Sequence, residues 1–167
     1  MSMILPDDGR IMALAAALGR ALVARQRRVA TAESCTGGLA AGAITAIAGS
    51  SAWFDRGFVT YTNEAKCELL GVPAALIARE GAVSEAVARA MADGTLARSR
   101  ADLVVAVTGI AGPGGGSPAK PVGTVCFAWA IAGQETRTAT RHFAGDRTAV
   151  RRQSVEFALR TLLDVIR

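Results

Sequence analysis

Two short segments carry the residue types for nucleophilic chemistry: Glu33-Ser34-Cys35-Thr36-Gly37-Gly38 and Tyr61-Thr62-Asn63-Glu64-Ala65-Lys66. Each follows a strand-like run and opens a helix-like one. The first offers a serine hydroxyl at a tight glycine turn. The second offers a lysine about three residues into a helix, where the positive end of the dipole and partial burial both disfavour the ammonium form. The chain has only two lysines, Lys66 and Lys120, and 19 basic residues in all, so arginine fills nearly every other basic position. Lysine differs from arginine in that it can give up its proton and act as a base. Serine–lysine pairing is one of the known variants of the nucleophile–base arrangement.

The turn around Ser34 follows the logic of a nucleophile elbow, a strand–turn–helix that lifts a hydroxyl clear of a sheet, without its Gly-x-Ser-x-Gly sequence. Backbone N–H groups of Thr36, Gly37 and Gly38 at the helix start are candidate anion donors. Capping of that helix by Ser34 or Thr36 is the plainer alternative. Cys35 is a rival nucleophile, but a catalytic cysteine usually works with a histidine, and the only histidine, His142, falls in a distant strand. Tyr61, the only tyrosine, is either a proton relay or a strand aromatic with a solvated tip. Lys66 has its own plain alternative, an exposed side chain reaching to water.

A third segment, Thr108 to Pro121, is rich in glycine and follows the continuous apolar run Leu103–Val107, which reads as a strand buried on both faces. Ligands of open α/β sheets gather beyond the carboxyl ends of strands, so Gly109 and Gly112 are candidate ligand contacts. The segment is neither a P-loop nor a dinucleotide fingerprint. Arg147, in Gly145-Asp146-Arg147, is a candidate forked contact for a phosphate, with pairing to Asp146 as the alternative.

The elements that must position these residues are legible in outline. Apolar positions at helical spacing predict helices over 10–25, 39–47, 64–70, 73–79, 85–98 and 149–166, with Asn63 and Ser84 as caps. Asp7 and Asp8 supply an acidic start to the first of them. Strands are predicted at 29–32, 53–61, 103–107, 122–131 and 135–143, the last two forming a hairpin around Gly133. Helices alternating with strands and ending in a hairpin imply a single-domain, three-layer α/β/α sandwich with a mixed sheet, spanning 1–167.

Composition narrows the function classes. With 51% hydrophobic residues the chain is expected to fold around a core, and no apolar run reaches the ~20 residues of a membrane span. The start of the chain lacks the basic and apolar regions of a signal peptide, so a cytoplasmic protein is expected. Three scattered cysteines and one histidine form neither a disulfide framework nor a metal-ligand pattern. A net charge of +5 suits an anionic ligand, whereas 5% aromatic residues leave little for base stacking, so direct nucleic-acid binding is not expected.

The three segments, with Gly57-Phe58-Val59-Thr60 before the second, Gly81-Ala82-Val83-Ser84, and Lys120-Pro121-Val122-Gly123-Thr124-Val125 after the third, resemble the CinA carboxy-terminal-domain family. That family includes stand-alone nicotinamide-nucleotide amidohydrolases. The resemblance implies hydrolysis of the carboxamide of nicotinamide mononucleotide to nicotinic acid mononucleotide and ammonia. It implies Ser34 as nucleophile, Lys66 and Tyr61 as its activating partners and Thr108 as a further active-site residue, with no metal or organic cofactor. Ser117 stands where the family pattern suggests threonine. Longer relatives carry an added nucleotide-binding domain, which is not expected here. A homodimer built through the helices at 39–47 or 85–98 is expected. The alternative function class is a non-catalytic nucleotide-binding module, or an interaction protein associated with competence or DNA damage.

Overall fold

The computed structural model describes residues 8–166; Asp7 lies outside them. Among the described residues the helices and strands follow in the order α1 (Asp8–Ala24), β1 (Val29–Glu33), α2 (Leu39–Thr45), β2 (Phe54–Val59), α3 (Asn63–Leu70), α4 (Ala74–Glu80), α5 (Glu85–Ala97), β3 (Leu103–Gly109), β4 (Thr124–Ile131), β5 (Arg137–His142) and α6 (Arg147–Ile166). The strands form one sheet in the order β2-β1-β3-β4-β5. β1 lies at the centre of a parallel trio, paired with β2 on one side and β3 on the other. β4 runs antiparallel to β3, and β5 antiparallel to β4. The three-layer sandwich with a mixed sheet is therefore present. Its antiparallel part extends beyond the expected hairpin, because the glycine segment after β3 folds back and returns the chain alongside that strand.

Strand alternation divides the core in two. Val29, Leu103, Val105, Val107, Val125, Phe127 and Trp129 face the layer of α1, α2 and α6. Ala30, Ala32, Val104, Ala106, Cys126, Ala128 and Ala130 face the layer of α3, α4 and α5. The first face is built from large side chains, with Phe127, Trp129, Phe143 and Phe157 in mutual ring contact beneath α6. The second is mostly alanine, which lets α5 lie close to the sheet. Its buried side chains Val87, Ala88, Met91, Ala92 and Thr95 recur at helical spacing.

Several boundaries differ from the sequence reading for local reasons. β3 continues through Thr108 and Gly109, which pair with Cys126 and Val125. A Cβ on Gly109 would stand 2.8 Å from a Val125 methyl, so this glycine serves strand packing. The cap of α3 is Thr62, whose hydroxyl accepts from the Ala65 N–H at 3.0 Å; Asn63 is already the first helical residue. Ser84 caps α5 as expected, accepting from the Val87 N–H.

Gly94 marks a close approach of α5 to the end of α3. A Cβ there would lie 2.0 Å from the Leu70 carbonyl oxygen at the end of α3. Gly94→Ala should therefore cost about 2–3 kcal/mol through forced separation of α3 from α5. Gly42→Ala, on exposed α2 with nothing within 4 Å, should instead stabilise by about 0.5–1 kcal/mol through helix propensity. Urea denaturation of both checks this; unchanged stability of Gly94→Ala would refute the close approach.

Candidate active site

Alternation also sets which way each end of β1 points. Ala30, Ala32 and then Ser34 share the parity that faces α3–α5, whereas Glu33 has the parity of Val29 and faces α2. On the neighbouring strand Val104, Ala106 and Thr108 have the Ser34 parity. Ser34 and Thr108 thus emerge side by side at the carboxyl ends of β1 and β3. β2 then delivers Thr60 and Tyr61 to the same end, and α3 starts immediately afterwards.

Lys66 lies on the buried side of α3, one turn before Leu70. It is 1% exposed, and its Nζ stands 3.1 Å from Ser34 Oγ. The same nitrogen donates to the Thr60 carbonyl oxygen at 2.8 Å. Burial holds its pKa below the ordinary lysine value, partly opposed by the nearby Cys35 and Cys67 thiols. None of the ion pairs among the described residues involves Lys66. A neutral amine fits this environment. It keeps an N–H for Thr60 and presents a lone pair that can accept the Ser34 hydroxyl proton.

Ser34 and Lys66 open onto a cavity of about 190 Å³, which Cys35, Tyr61, Asn63, Ala82, Val83, Thr108, Gly109, Ala111 and Arg147 also line. Both Ser34 and Cys35 reach this cavity. Burial pushes the Cys35 thiol up to about 12, so it stays protonated at neutral pH and is a poor nucleophile. Tyr61 sits at the mouth, 58% exposed, and its hydroxyl accepts from Arg147 at 2.9 Å. No hydrogen bond joins Tyr61 to Ser34 or Lys66, so the direct contact is between Lys66 and Ser34. Arg147 also donates to the Gly112 carbonyl at 2.9 Å, while Asp146 caps α6 by accepting from the Ala149 N–H. Thr108, 1% exposed, donates to the Ala82 carbonyl and ties the 81–84 loop to β3.

Other sequence candidates fall elsewhere. Thr36, Gly37, Gly38 and Gly112 do not line the cavity. Lys120 donates to the Glu80 carbonyl and holds the glycine segment against the end of α4. His142 is exposed on edge strand β5. Among the described residues no group of three or more His, Cys, Asp or Glu side chains could hold a metal ion, and no helix is long and apolar enough to cross a membrane.

The sequence reading gave no role to Glu33. Its carboxylate is 1% exposed and accepts from the Ala40 and Ala41 N–H groups at 2.8 and 3.1 Å. The first amides of α2 are thereby taken by the protein itself. The N–H groups of the turn left without an acceptor on another residue are those of Cys35, Thr36 and Gly38, and the Cys35 N–H faces its own sulfur. A carboxylate six residues before a helix that follows Gly-Gly was the available signal. Arg151, which donates from α6 to the Cys35 and Thr36 carbonyls at 3.0 and 3.3 Å, had no local one.

The chain belongs to the CinA C-terminal domain family, whose profile matches residues 11–166. It is 57% identical over 155 residues to the nicotinamide-nucleotide amidohydrolase PncC of Escherichia coli K12, covering 93% of this chain and 94% of that protein. It is also 56% identical to a putative competence-damage inducible protein of Symbiobacterium thermophilum, covering 86% of this chain and 35% of that longer protein. Among solved structures, the competence/damage inducible protein CihA from Agrobacterium tumefaciens superposes with a TM-score of 0.93 at 48% identity, covering 100% of both chains.

Lys66 gives a pH signature in stability. The unfolded chain keeps the lysine proton over a pH range in which the folded protein has released it. Stability therefore rises with pH from the lowered folded pKa up to the ordinary value of about 10.4. Lys66→Met removes that dependence. The stability of Lys66→Met relative to the parent should fall as pH rises through this window, read by urea denaturation at a series of pH values. A difference that stays flat would show that Lys66 titrates normally.

Proposed function

We propose that the protein is a nicotinamide-nucleotide amidohydrolase that uses Ser34 as nucleophile and Lys66 as general base. The observation that carries the reading is the 3.1 Å contact between Ser34 Oγ and a buried Lys66 amine. The identity to relatives named for this activity supplies the substrate.

In this mechanism neutral Lys66 takes the Ser34 proton as Oγ attacks the carboxamide carbon. The tetrahedral oxyanion is met by backbone N–H groups of the turn that carries Ser34. A preorganised donor of this kind contributes about 3 kcal/mol in other acyl-transfer sites. Lys66 then gives its proton to the departing nitrogen, the C–N bond breaks, and ammonia leaves. Water, deprotonated by the same amine, adds to the acyl-serine. Collapse of the second intermediate frees nicotinic acid mononucleotide and returns the proton to Ser34. Each step uses groups of this chain and water alone.

The cavity of about 190 Å³ lies below the ~300 Å³ at which pockets for drug-sized ligands begin. It suits the pyridine carboxamide, with ribose and phosphate extending past the mouth. Arg147 and Tyr61 stand there, and the Arg147 guanidinium suits the phosphate. Thr108 serves by holding the 81–84 loop as one wall. Tyr61 acts at the mouth rather than as the base's relay.

Ammonia release from nicotinamide mononucleotide tests the reading. Ser34→Ala and Lys66→Met should each lower kcat by at least about 10³-fold, whereas Cys35→Ala should keep most of it. In the parent, kcat should rise with pH through a limb centred below the ordinary lysine pKa, because protonated Lys66 cannot act as a base. Full turnover by Ser34→Ala would remove the nucleophile assignment, and a flat acid side would remove the base. Arg147→Ala should raise KM more than it lowers kcat; the opposite split would move the phosphate elsewhere.

A further inference from the structure

The turn that carries Ser34 is held by two charged side chains that do not line the cavity. Gly37 and Gly38 adopt φ of 58° and 101°, a left-handed conformation that favours glycine. Gly38 has no side chain with which to cap α2. Glu33 takes over that function from the end of β1, with one carboxylate oxygen on each of the Ala40 and Ala41 amides. Because Glu33 directly precedes Ser34, this grip fixes the residue before the nucleophile to the helix after it. The Ser34 N–H is itself bonded to the Val107 carbonyl at 2.9 Å.

Arg151 grips the turn from the α6 side through the carbonyls of Cys35 and Thr36. In a trans peptide the C=O and the following N–H point in opposite directions. Drawing the Cys35 carbonyl toward α6 therefore aims the Thr36 N–H away from α6. The Thr36 carbonyl also accepts from the Leu39 N–H, and the Gly37 N–H is taken by the Ser34 carbonyl. The Cys35, Thr36 and Gly38 N–H groups are left without an acceptor on another residue.

We propose that Glu33 and Arg151 are positioning residues of the amidohydrolase reaction. Glu33 fixes Ser34 Oγ against Lys66, and Arg151 aims the oxyanion donors of the turn. This inference rests on the reading of Ser34 as the nucleophile.

Glu33→Gln and Arg151→Lys test it. Glutamine keeps one acceptor oxygen and sets an amide NH2 against a backbone N–H; lysine replaces a two-pronged donor by a single ammonium. Each variant should lose at least about tenfold in kcat for nicotinamide mononucleotide, with KM within about twofold, because the affected interactions act in the transition state. The acid limb of kcat should keep its midpoint, since Lys66 and its burial are untouched. General loosening of the core would admit water to Lys66 and move that limb, so a shifted midpoint would overturn the proposal. Unchanged kcat, or a loss confined to KM, would overturn it too.

A second readout, independent of the substrate, is the rate at which a fluorophosphonate probe labels Ser34, followed by intact mass. If the parent labels at Ser34 but releases no ammonia, the substrate reading fails and the labelling rates decide the positioning roles. At least tenfold slower labelling of both variants supports them, and equal rates refute them. A parent that neither labels nor hydrolyses overturns both readings. Should Glu33→Gln fail to fold, Arg151→Lys alone decides, by the same criteria.

Discussion

The site depends on an amine held out of water beside a hydroxyl. A buried lysine with no carboxylate partner is costly as a cation and tolerable as a neutral base. Lys66 meets that condition. It is 1% exposed, and its hydrogen-bonding neighbours are a neutral hydroxyl and a neutral carbonyl. Neither neighbour rewards the extra proton as a carboxylate would. An arginine at this position would remain charged, and a shorter side chain from α3 would not span the distance. The rest of the fold supports that contact: a central strand that ends just before Ser34, an edge strand that ends just before Thr60, and a helix whose cap starts it early enough to place Lys66 on its inner side.

The sheet makes the contact reproducible. With β1 between two parallel neighbours, its carboxyl end is flanked by the ends of β2 and β3, the usual location for a ligand in an open α/β sheet. Alternation then assigns opposite tasks to adjacent residues. Ser34 faces the cavity layer while Glu33 faces α2. One strand end therefore delivers a serine hydroxyl to one side and a helix clamp to the other, and a one-residue slip in register would exchange them. The alanine-rich face contributes as well. Small side chains at Ala30, Ala32, Ala106, Ala128 and Ala130 let α5 approach, and the 81–84 loop before α5 forms the wall tied down by Thr108.

Much of this was legible in the chain. The apolar run at 103–107, the hairpin around Gly133 and the Ser84 cap are local signals, and each appears in the structure. So was the pairing of serine with a lysine that the composition otherwise disfavours. What escaped reading was either ambiguous or distant. Gly109 looked like loop because glycine is rare within strands, yet it is glycine because a Cβ would strike Val125. Thr62 and Asn63 are both good caps, and local sequence did not separate them. Tyr61 meets Arg147 across 86 positions, and Arg151 reaches the Cys35 carbonyl across 116. Contacts of that separation are products of the assembled layers and leave no periodic trace.

The electrostatics also orient the substrate. A phosphate dianion brought near Lys66 would favour the ammonium form and raise its pKa, because an opposite charge stabilises the charged state. A mononucleotide entering phosphate-first would thus protonate the base it needs. Entering amide-first, it places a neutral group against Ser34 and Lys66 and leaves the anion near Arg147, whose guanidinium keeps its charge in any environment. In the proposed mechanism the buried lysine within and the arginine at the mouth thus favour one orientation, in which the amide bond reaches the amine.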